Sequence, residues 1–376
     1  MRIGIVTTWF ERGAAYVSRA YRDVLRLSGC KVFIYARDEK YDIGNPIWDT
    51  PDVTWGKKTS DNITKSIDKE DFIAWIKNNN IKYIIFNEQV LIDPVFWAKE
   101  CGCIVISYID YYTENTIPYF IFYDGLICNT LRHYEVFSWH PQCIYIPWGT
   151  DINTFKPNYD NKNTYPVFFH SAGMNPYRKG TDYLLEAFSL VQGKYKLVIH
   201  IQGIGLSKIP SSKYIADDLT KRGRLAIVNK EIGAPGLYNN FDVYVYPSRL
   251  DGIGLTVAEA LASGLPVIVP DNPPMNEFVT PATGKAVKIR KNFSRKDGYY
   301  WPENSVDILE LSKAMQYYVD NFDKMSFYRQ QARKYAEENL DWQKNANHLA
   351  KWMKKLLSIP GKNELISPEF FNAILF

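Results

Sequence analysis

The stretch Asp251-Gly252-Ile253-Gly254-Leu255-Thr256-Val257-Ala258-Glu259, continuing Ala-Leu-Ala-Ser to Gly264-Leu265-Pro266, decides the reading of this chain. It follows an apolar, strand-like run, Val243 to Tyr246, that closes in Pro247-Ser248. Two glycines open the turn, and a helix is expected to begin near Thr256. At such a turn backbone N–H groups point at an anion, and the helix dipole adds a favourable field. Asp251 stands before the glycines and Glu259 one turn into the helix. Amides that take a phosphate, beside carboxylates that take hydroxyls, suit a sugar nucleotide. The same residues also fit a purely architectural role. Thr256 to Glu259 has the form of a capping box, Gly264 of a helix C-cap, and Pro266 of the start of a buried strand.

Working outward, 376 residues are too many for one ordinary core and imply two domains. The chain is 46% apolar and 23% charged, the composition of a globular protein. A net charge of +4 is too small to indicate nucleic acid. Cys30, Cys101, Cys103, Cys128 and Cys143 are odd in number and include no C-x-x-C, so neither a disulfide framework nor a zinc site is expected. That pattern fits a reducing, cytoplasmic setting. The N-terminus, Met-Arg-Ile-Gly-Ile-Val, reads as a strand rather than a signal peptide, and no apolar run reaches membrane-spanning length.

Strands are expected at 3–7, 32–36, 83–86, 104–108, 126–129 and 144–147. Amphipathic helical segments at 14–28 and 69–77 lie between them. Such alternation predicts a parallel sheet with crossover helices. The polar, proline-bearing stretch 149–165 reads as a linker. Strands at 167–171, 197–201, 225–228, 243–246 and 267–269 then interleave with helices expected near Thr181, Ala234, Thr256 and Met275. After Trp301 the pattern reads as purely helical to about Leu357. The fold class is α/β, with two doubly wound units whose ligands sit at the carboxyl ends of the strands.

A second motif, Ser171-Ala-Gly173-Met174-Asn175-Pro-Tyr-Arg178-Lys179-Gly180-Thr-Asp182, also follows a strand and precedes a helix. A lysine there reaches a phosphate as a point charge. A solvated Arg–Lys pair at a helix start is the plain alternative, which the helix dipole disfavours. Gly203-Ile-Gly205 lacks the third glycine of a dinucleotide fingerprint and reads as a tight turn, which disfavours a dehydrogenase. The five histidines lack metal spacing. Only His170, at a strand end, stands near a motif. The basic amphipathic segment 347–357 reads as a docked helix and admits a membrane-surface contact.

Four segments together carry a resemblance: Ile146-Pro-Trp-Gly149-Thr-Asp151-Ile-Asn-Thr-Phe155-Lys-Pro157, Gly173 to Gly180, Asp242 to Ser248, and Asp251 to Pro266. They resemble the family-four retaining glycosyltransferases over about residues 143–357. Leu340-Asp-Trp342 and the long helix after it look like that family's closing helix, which returns to the first domain. The resemblance implies the GT-B fold: an acceptor domain over 1–155, a nucleotide-sugar donor domain over 156–340, and a closing helix and tail over 341–376. It implies Glu259 on the donor ribose, Asp251 on the transferred sugar, and the amides of Gly252, Ile253, Gly254, Leu255 and Thr256 on the diphosphate. Lys179 would neutralise the leaving phosphate, with Gly173, Asn175 and Arg178 shaping the donor side. In the first domain Gly13 lies in the loop after the first strand. Asp110, beside Ile109 at the family's histidine position, is implied as a catalytic residue near the transferred sugar.

The implied reaction moves a sugar from a UDP- or GDP-sugar to a hydroxyl of a glycan, lipid-linked or protein acceptor, as in polysaccharide or glycolipid assembly. It needs no cofactor and no metal; no D-x-D motif is evident in the sequence. Met174 and Ile109, where the family has polar residues, motivate a rival reading as a non-catalytic nucleotide-sugar binder. A nucleotide-sugar epimerase on the same fold is a third reading. Nucleic acid is not an expected partner, and any membrane attachment would be peripheral, at the inner face.

Overall fold

Runs of β-branched and aromatic residues build two separate parallel sheets. The computed structural model describes residues 1–37, 42–57, 59, 66–159, 163–203 and 205–358; the apolar end Pro368–Phe376 lies outside them. The chain divides into two compact units, Met1–Pro147 joined by the segment from Gln343 onward, and Trp148–Trp342.

The first unit holds β1 (Arg2–Thr7), α1 (Gly13–Leu27), β2 (Lys31–Ala36), β3 (Val53–Trp55), α2 (Lys69–Asn78), β4 (Tyr83–Asn87), α3 (Asp93–Glu100), β5 (Ile104–Tyr108), β6 (Gly125–Cys128), α4 (Leu131–Phe137) and β7 (Cys143–Tyr145). The sheet order is β3-β2-β1-β4-β5-β6-β7, with every neighbour parallel. Ile3, Ile34, Ile84, Val105 and Ile106 are fully buried on it. Each such side chain contributes about 1.5–3 kcal/mol by leaving water. Asn87, at the end of β4, donates through Nδ2 to the Ala14 carbonyl at 2.9 Å and to Ser18 Oγ at 2.8 Å. Those bonds pin the start of α1, and with it Gly13, to the carboxyl edge of the sheet.

The second unit holds β8 (Val167–Gly173), α5 (Thr181–Ser189), β9 (Lys196–Ile201), α6 (Lys213–Lys221), β10 (Leu225–Asn229), β11 (Val243–Val245), α7 (Leu255–Ala262), β12 (Val267–Pro270), β13 (Gly284–Val287), β14 (Ile289–Phe293), β15 (Glu303–Val306), α8 (Ile308–Asp320) and α9 (Met325–Asn339). Its six-stranded sheet runs β10-β9-β8-β11-β12-β13, all parallel. Phe168, Leu184, Phe188, Leu197, Ile199, Val243 and Ile268 fill its core. β14 and β15 form a separate antiparallel ribbon. Two short helical turns close the described chain, α10 (Trp342–Asn345) and α11 (Leu349–Met353).

Four local expectations are corrected. No α-helix forms near Ala234; Gly233, Pro235 and a left-handed Gly236 interrupt it, leaving a 3-10 turn at Tyr238–Asn240. Near Met275 there is only a four-residue 3-10 turn, Met275–Phe278. The chain after Trp301 is not purely helical, because Glu303–Val306 pairs with β14 before α8 begins. The closing helix is not long: it is split into α10 and α11, with Met353 and Leu349 buried. Trp352 and Leu356 lie against Gly125 of β6, where a Cβ would sit 2.9 Å from the Trp352 ring. Trp352 and Leu356 are therefore packed on β6, while Leu357 is 74% exposed.

Candidate active site at the carboxyl edge of the second sheet

Both motifs fall at strand ends of the second unit, β8 and β11, which are neighbours. At the end of β8, Gly173 takes φ +53, and Asn175 organises the turn that follows. Its Oδ1 accepts from the Arg178 amide at 3.1 Å and its carbonyl from the Lys179 amide at 3.1 Å. Gly180 then begins α5 at φ +69. A Cβ there would lie 2.0 Å from the Pro247 carbonyl oxygen, so only glycine lets this turn close on the β11 loop. Gly180→Ala is expected to destabilise the fold by about 2–4 kcal/mol, from the left-handed backbone and the overlap together. Urea unfolding with an unchanged midpoint would refute this.

That closure carries Lys179 to Asp251. Lys179 Nζ donates to Asp251 Oδ2 at 2.5 Å and also to the Tyr246 hydroxyl, which in turn donates to Asp251 Oδ2 at 2.5 Å. Both charged side chains are largely buried, 15% and 14% exposed. Burial and the neighbouring Arg178 guanidinium lower the Lys179 ammonium to about 8, against the opposing pull of Asp251. Burial works against the Asp251 charge too. Lys179 and Arg178, with hydrogen bonds from Lys179 and Tyr246, nevertheless hold its carboxyl well below the usual carboxylate range. At neutral pH the pair is therefore ionised. The Arg178 guanidinium lies 3.5 Å from the Leu250 carbonyl, on the same loop.

Asp251 Oδ1 accepts from the Gly254 amide at 3.2 Å, so one amide of the Gly252–Thr256 set is engaged within the loop. Gly254, at φ +80, is the N-cap of α7. Thr256 consequently sits inside the helix, and the capping box read at Thr256–Glu259 is not formed. First-turn amides of a helix have no acceptor within it and carry the positive end of its dipole. Gly264, at φ +78, follows the helix and donates to the Leu261 carbonyl, the C-terminal signature read from the sequence. Glu259, one turn in, is partly buried and accepts from the Tyr238 hydroxyl at 2.6 Å. Burial pushes its carboxyl up to about 7, with Tyr238 pulling the other way.

Within this unit the fold brings Lys179, Arg178, Asn175, Asp251 and the Gly254 amide together, with Glu259 on the following helix turn. Gly13 and Asp110 belong to the first unit, at the start of α1 and just past β5. Ile109 is buried, and its carbonyl lies 3.2 Å from His133 Nδ1. Met174 is 64% exposed.

Tyr246, Tyr238 and Arg249 were not singled out from the sequence. Tyr244 and Tyr246 alternate on one face of the β11 run and stack at 5.7 Å, a pattern that period-two spacing does show. Arg249 pairs with Asp182 through both guanidinium nitrogens, at 2.7 and 2.6 Å, and lies between the rings of Tyr177 and Tyr183. It ties the Asp251 loop to α5. His170 is wholly buried. Its Nδ1–H donates to the Val245 carbonyl and its Nε2 accepts from Thr181 Oγ1, each at 2.8 Å. Burial lowers it to about 4, which makes it a neutral brace between β8, β11 and α5.

Residues 165–300 match the family model described as Glycosyl transferases group 1. The chain is 25% identical over 146 residues to a lipopolysaccharide core biosynthesis mannosyltransferase of Rhizobium meliloti, covering 35% of this chain and 41% of that relative. It is 28% identical over 186 residues to a GDP-mannose-dependent monoacylated alpha-(1-6)-phosphatidylinositol monomannoside mannosyltransferase of Corynebacterium glutamicum, covering 42% and 46%. The chain thus spans less than half the length of these curated relatives. Among solved structures, a glycosyltransferase from Rickettsia africae is similar at a TM-score of 0.74 and 14% identity, over 94% of this chain and 98% of that one. Anabaena HepE, solved with UDP and glucose, is similar at a TM-score of 0.72 and 14% identity, over 95% and 100%. Residues 165–300 are therefore similar to the group 1 glycosyl transferases, in a chain whose two parallel-sheet, Rossmann-like units have the GT-B fold.

Proposed function

We propose that this chain transfers a sugar from a nucleoside-diphosphate sugar to an acceptor hydroxyl, with retention at the anomeric carbon and without a metal. The observation that carries the reading is the buried Lys179–Asp251–Tyr246 cluster at the start of α7, with Glu259 one turn further along the helix. The α7 amides and the Lys179 ammonium supply positive charge where a leaving diphosphate accumulates negative charge. Such preorganised charge is commonly the largest part of enzymatic rate enhancement. Glu259, once ionised, accepts from the ribose hydroxyls; Asp251 orients the transferred sugar while holding Lys179 in place. In a front-face displacement, the bond from the anomeric carbon to the phosphate oxygen breaks. The acceptor oxygen bonds to the same face, and its proton passes to the departing phosphate. Asp110 as a catalytic residue and Gly13 as a substrate-binding residue are assigned in the first unit on the family resemblance.

UDP and GDP both suit the donor side, and a glycan, lipid-linked or protein hydroxyl suits the acceptor. UDP bound in the HepE structure and the GDP-mannose dependence named for the Corynebacterium relative support a nucleotide-sugar donor. The five free cysteines suit a reducing cytosol. Among the described residues, no helix is long and apolar enough to cross a membrane.

The test is incubation with a panel of UDP- and GDP-sugars and simple acceptors, with and without chelator. Release of nucleoside diphosphate is followed, and the product's anomeric configuration is read by NMR. Transfer that survives chelation, with the donor's configuration kept, is expected. An inverted product would remove the retaining mechanism. Loss with chelator would remove metal independence, and donor binding with no release would leave only a binding protein.

A further inference from the structure

The charge of this chain is unevenly placed. Its 45 Lys and Arg stand against 41 Asp and Glu, an excess of +4. The segment from Lys288 to Trp301 holds Lys288, Arg290, Lys291, Arg295 and Lys296 against Asp297 alone. Five cations against one acid equal the excess of the whole chain, so the rest is balanced.

This segment is β14 and the turn leading into β15, whose Glu303 adds a second acid to the ribbon. β15 faces inward, with Asn304, Ser305 and Val306 buried. Asn304 donates its amide to the Arg249 carbonyl at 2.9 Å and its Nδ2 to the same carbonyl at 2.8 Å, which fastens the ribbon to the loop before Asp251. β14 is the outer strand, with Arg290, Lys291 and Asn292 exposed. The acids nearby are occupied: Arg295 binds Asp297 at 2.8 Å and approaches Glu303 at 3.9 Å. Lys288, Arg290, Lys291 and Lys296 form no ion pair with a described residue. Past the turn, Tyr300 is 42% exposed and meets half-buried Trp301 edge-on at 5.3 Å.

Cations on an outer strand also discourage edge-to-edge pairing. That accounts for Arg290 and Lys291, but neither for Lys296 in the turn nor for the Tyr–Trp pair that follows it in the chain. Unpaired Lys and Arg next to Tyr and Trp are the chemistry of an anionic membrane interface: the cations meet acidic headgroups and the amphipathic rings settle at headgroup level. The closing segment also exposes Lys351, Lys354 and Lys355, but its Trp352 and Leu356 are packed against Gly125, so it serves as the comparison surface in the test.

We propose that the β14–β15 ribbon is the surface by which this chain rests on an anionic lipid bilayer. It stands on charge placement and exposure, independently of the donor reading, and its test uses no nucleotide sugar.

The full chain is sedimented with vesicles of phosphatidylcholine alone and of phosphatidylcholine with about 30% phosphatidylglycerol, in about 0.1 M and about 0.5 M salt, where screening lengths differ roughly twofold. Binding only to the anionic vesicles, weakened at high salt, is expected. Each exposed cation near the surface strengthens partitioning about fivefold. The K288Q/R290Q/K291Q/K296Q variant should therefore bind on the order of a hundredfold or more weakly, with unchanged melting temperature. Y300S should weaken binding severalfold while keeping its salt dependence. K351Q/K354Q/K355Q in the closing segment should bind as the parent does. The proposal is overturned if the parent ignores anionic vesicles, if the quadruple variant still binds them, or if the closing-segment variant loses binding instead. Salt-sensitive binding to heparin without vesicle binding would overturn it in favour of a soluble polyanion.

Discussion

Replacing Lys179 by methionine is expected to lower kcat by about 10²–10³-fold, the usual effect of removing one group aimed at developing charge. The side chain keeps most of its volume, so packing beside Tyr246 changes little. The loss is of charge: the Asp251 carboxylate stays 14% exposed with its ammonium partner gone. Removing one member of such a pair is strongly destabilising, so the melting temperature is measured alongside. Activity is compared only at temperatures where both proteins are folded. The parent's pH profile supplies a second readout. On the proposed mechanism transfer needs Lys179 protonated and Glu259 ionised, and these groups lie near 8 and 7. Rates should rise through about pH 7, fall through about pH 8, and peak between. In Lys179→Met the alkaline limb should disappear while the acid limb stays. A variant within threefold of the parent, or one with both limbs intact, would remove Lys179 from the chemistry.

Glu259→Gln should trade donor affinity for stability. Glutamine keeps an acceptor for the Tyr238 hydroxyl but has no charge for the ribose hydroxyls. Charge-assisted hydrogen bonds contribute about 1.5–3 kcal/mol, so the dissociation constant for nucleoside diphosphate should rise about tenfold to a hundredfold. Parent affinity should strengthen as pH rises through about 7, and the variant's should be flat there. The stability effect has the opposite sign. Glu259 titrates at about 7 in the folded chain against an ordinary value of 4.5. Below 4.5 both states hold the proton and nothing is lost. Between 4.5 and 7 the unfolded chain ionises first and stability falls with pH; above 7 the whole penalty is present. Glu259→Gln should thus be more stable than the parent at pH 8, by on the order of 1–3 kcal/mol, with the gain fading below pH 7. Unchanged donor affinity together with a lower melting temperature at pH 8 would make Glu259 a structural residue and undo its assignment to the ribose.

Much of the architecture is legible in one dimension. Runs such as Val167–Ser171 and Val243–Tyr246 form strands because their β-branched and aromatic side chains suit a sheet buried on both faces. Gly254 and Gly264 take left-handed backbone at the two ends of α7, where any other residue would be strained, so the turn and the helix after it are written locally. The β14–β15 ribbon was illegible for the complementary reason: Glu303-Asn304-Ser305 has little strand preference, and Asn304 is held by the carbonyl of Arg249, 55 residues away in sequence.

The sequence by itself determined the strand and helix alternation, the two-unit organisation and the glycine turn, since each follows from short-range periodicity and backbone freedom. Tertiary structure alone decided the electrostatics of the site. Lys179 meets Asp251 across 72 residues only because β8 and β11 are adjacent and Gly180 lets one loop close on the other. Tyr246 joins that pair, and Tyr238 meets Glu259 from a turn where a helix was expected. The charge a buried group carries depends on what surrounds it in space, and linear spacing does not specify those surroundings.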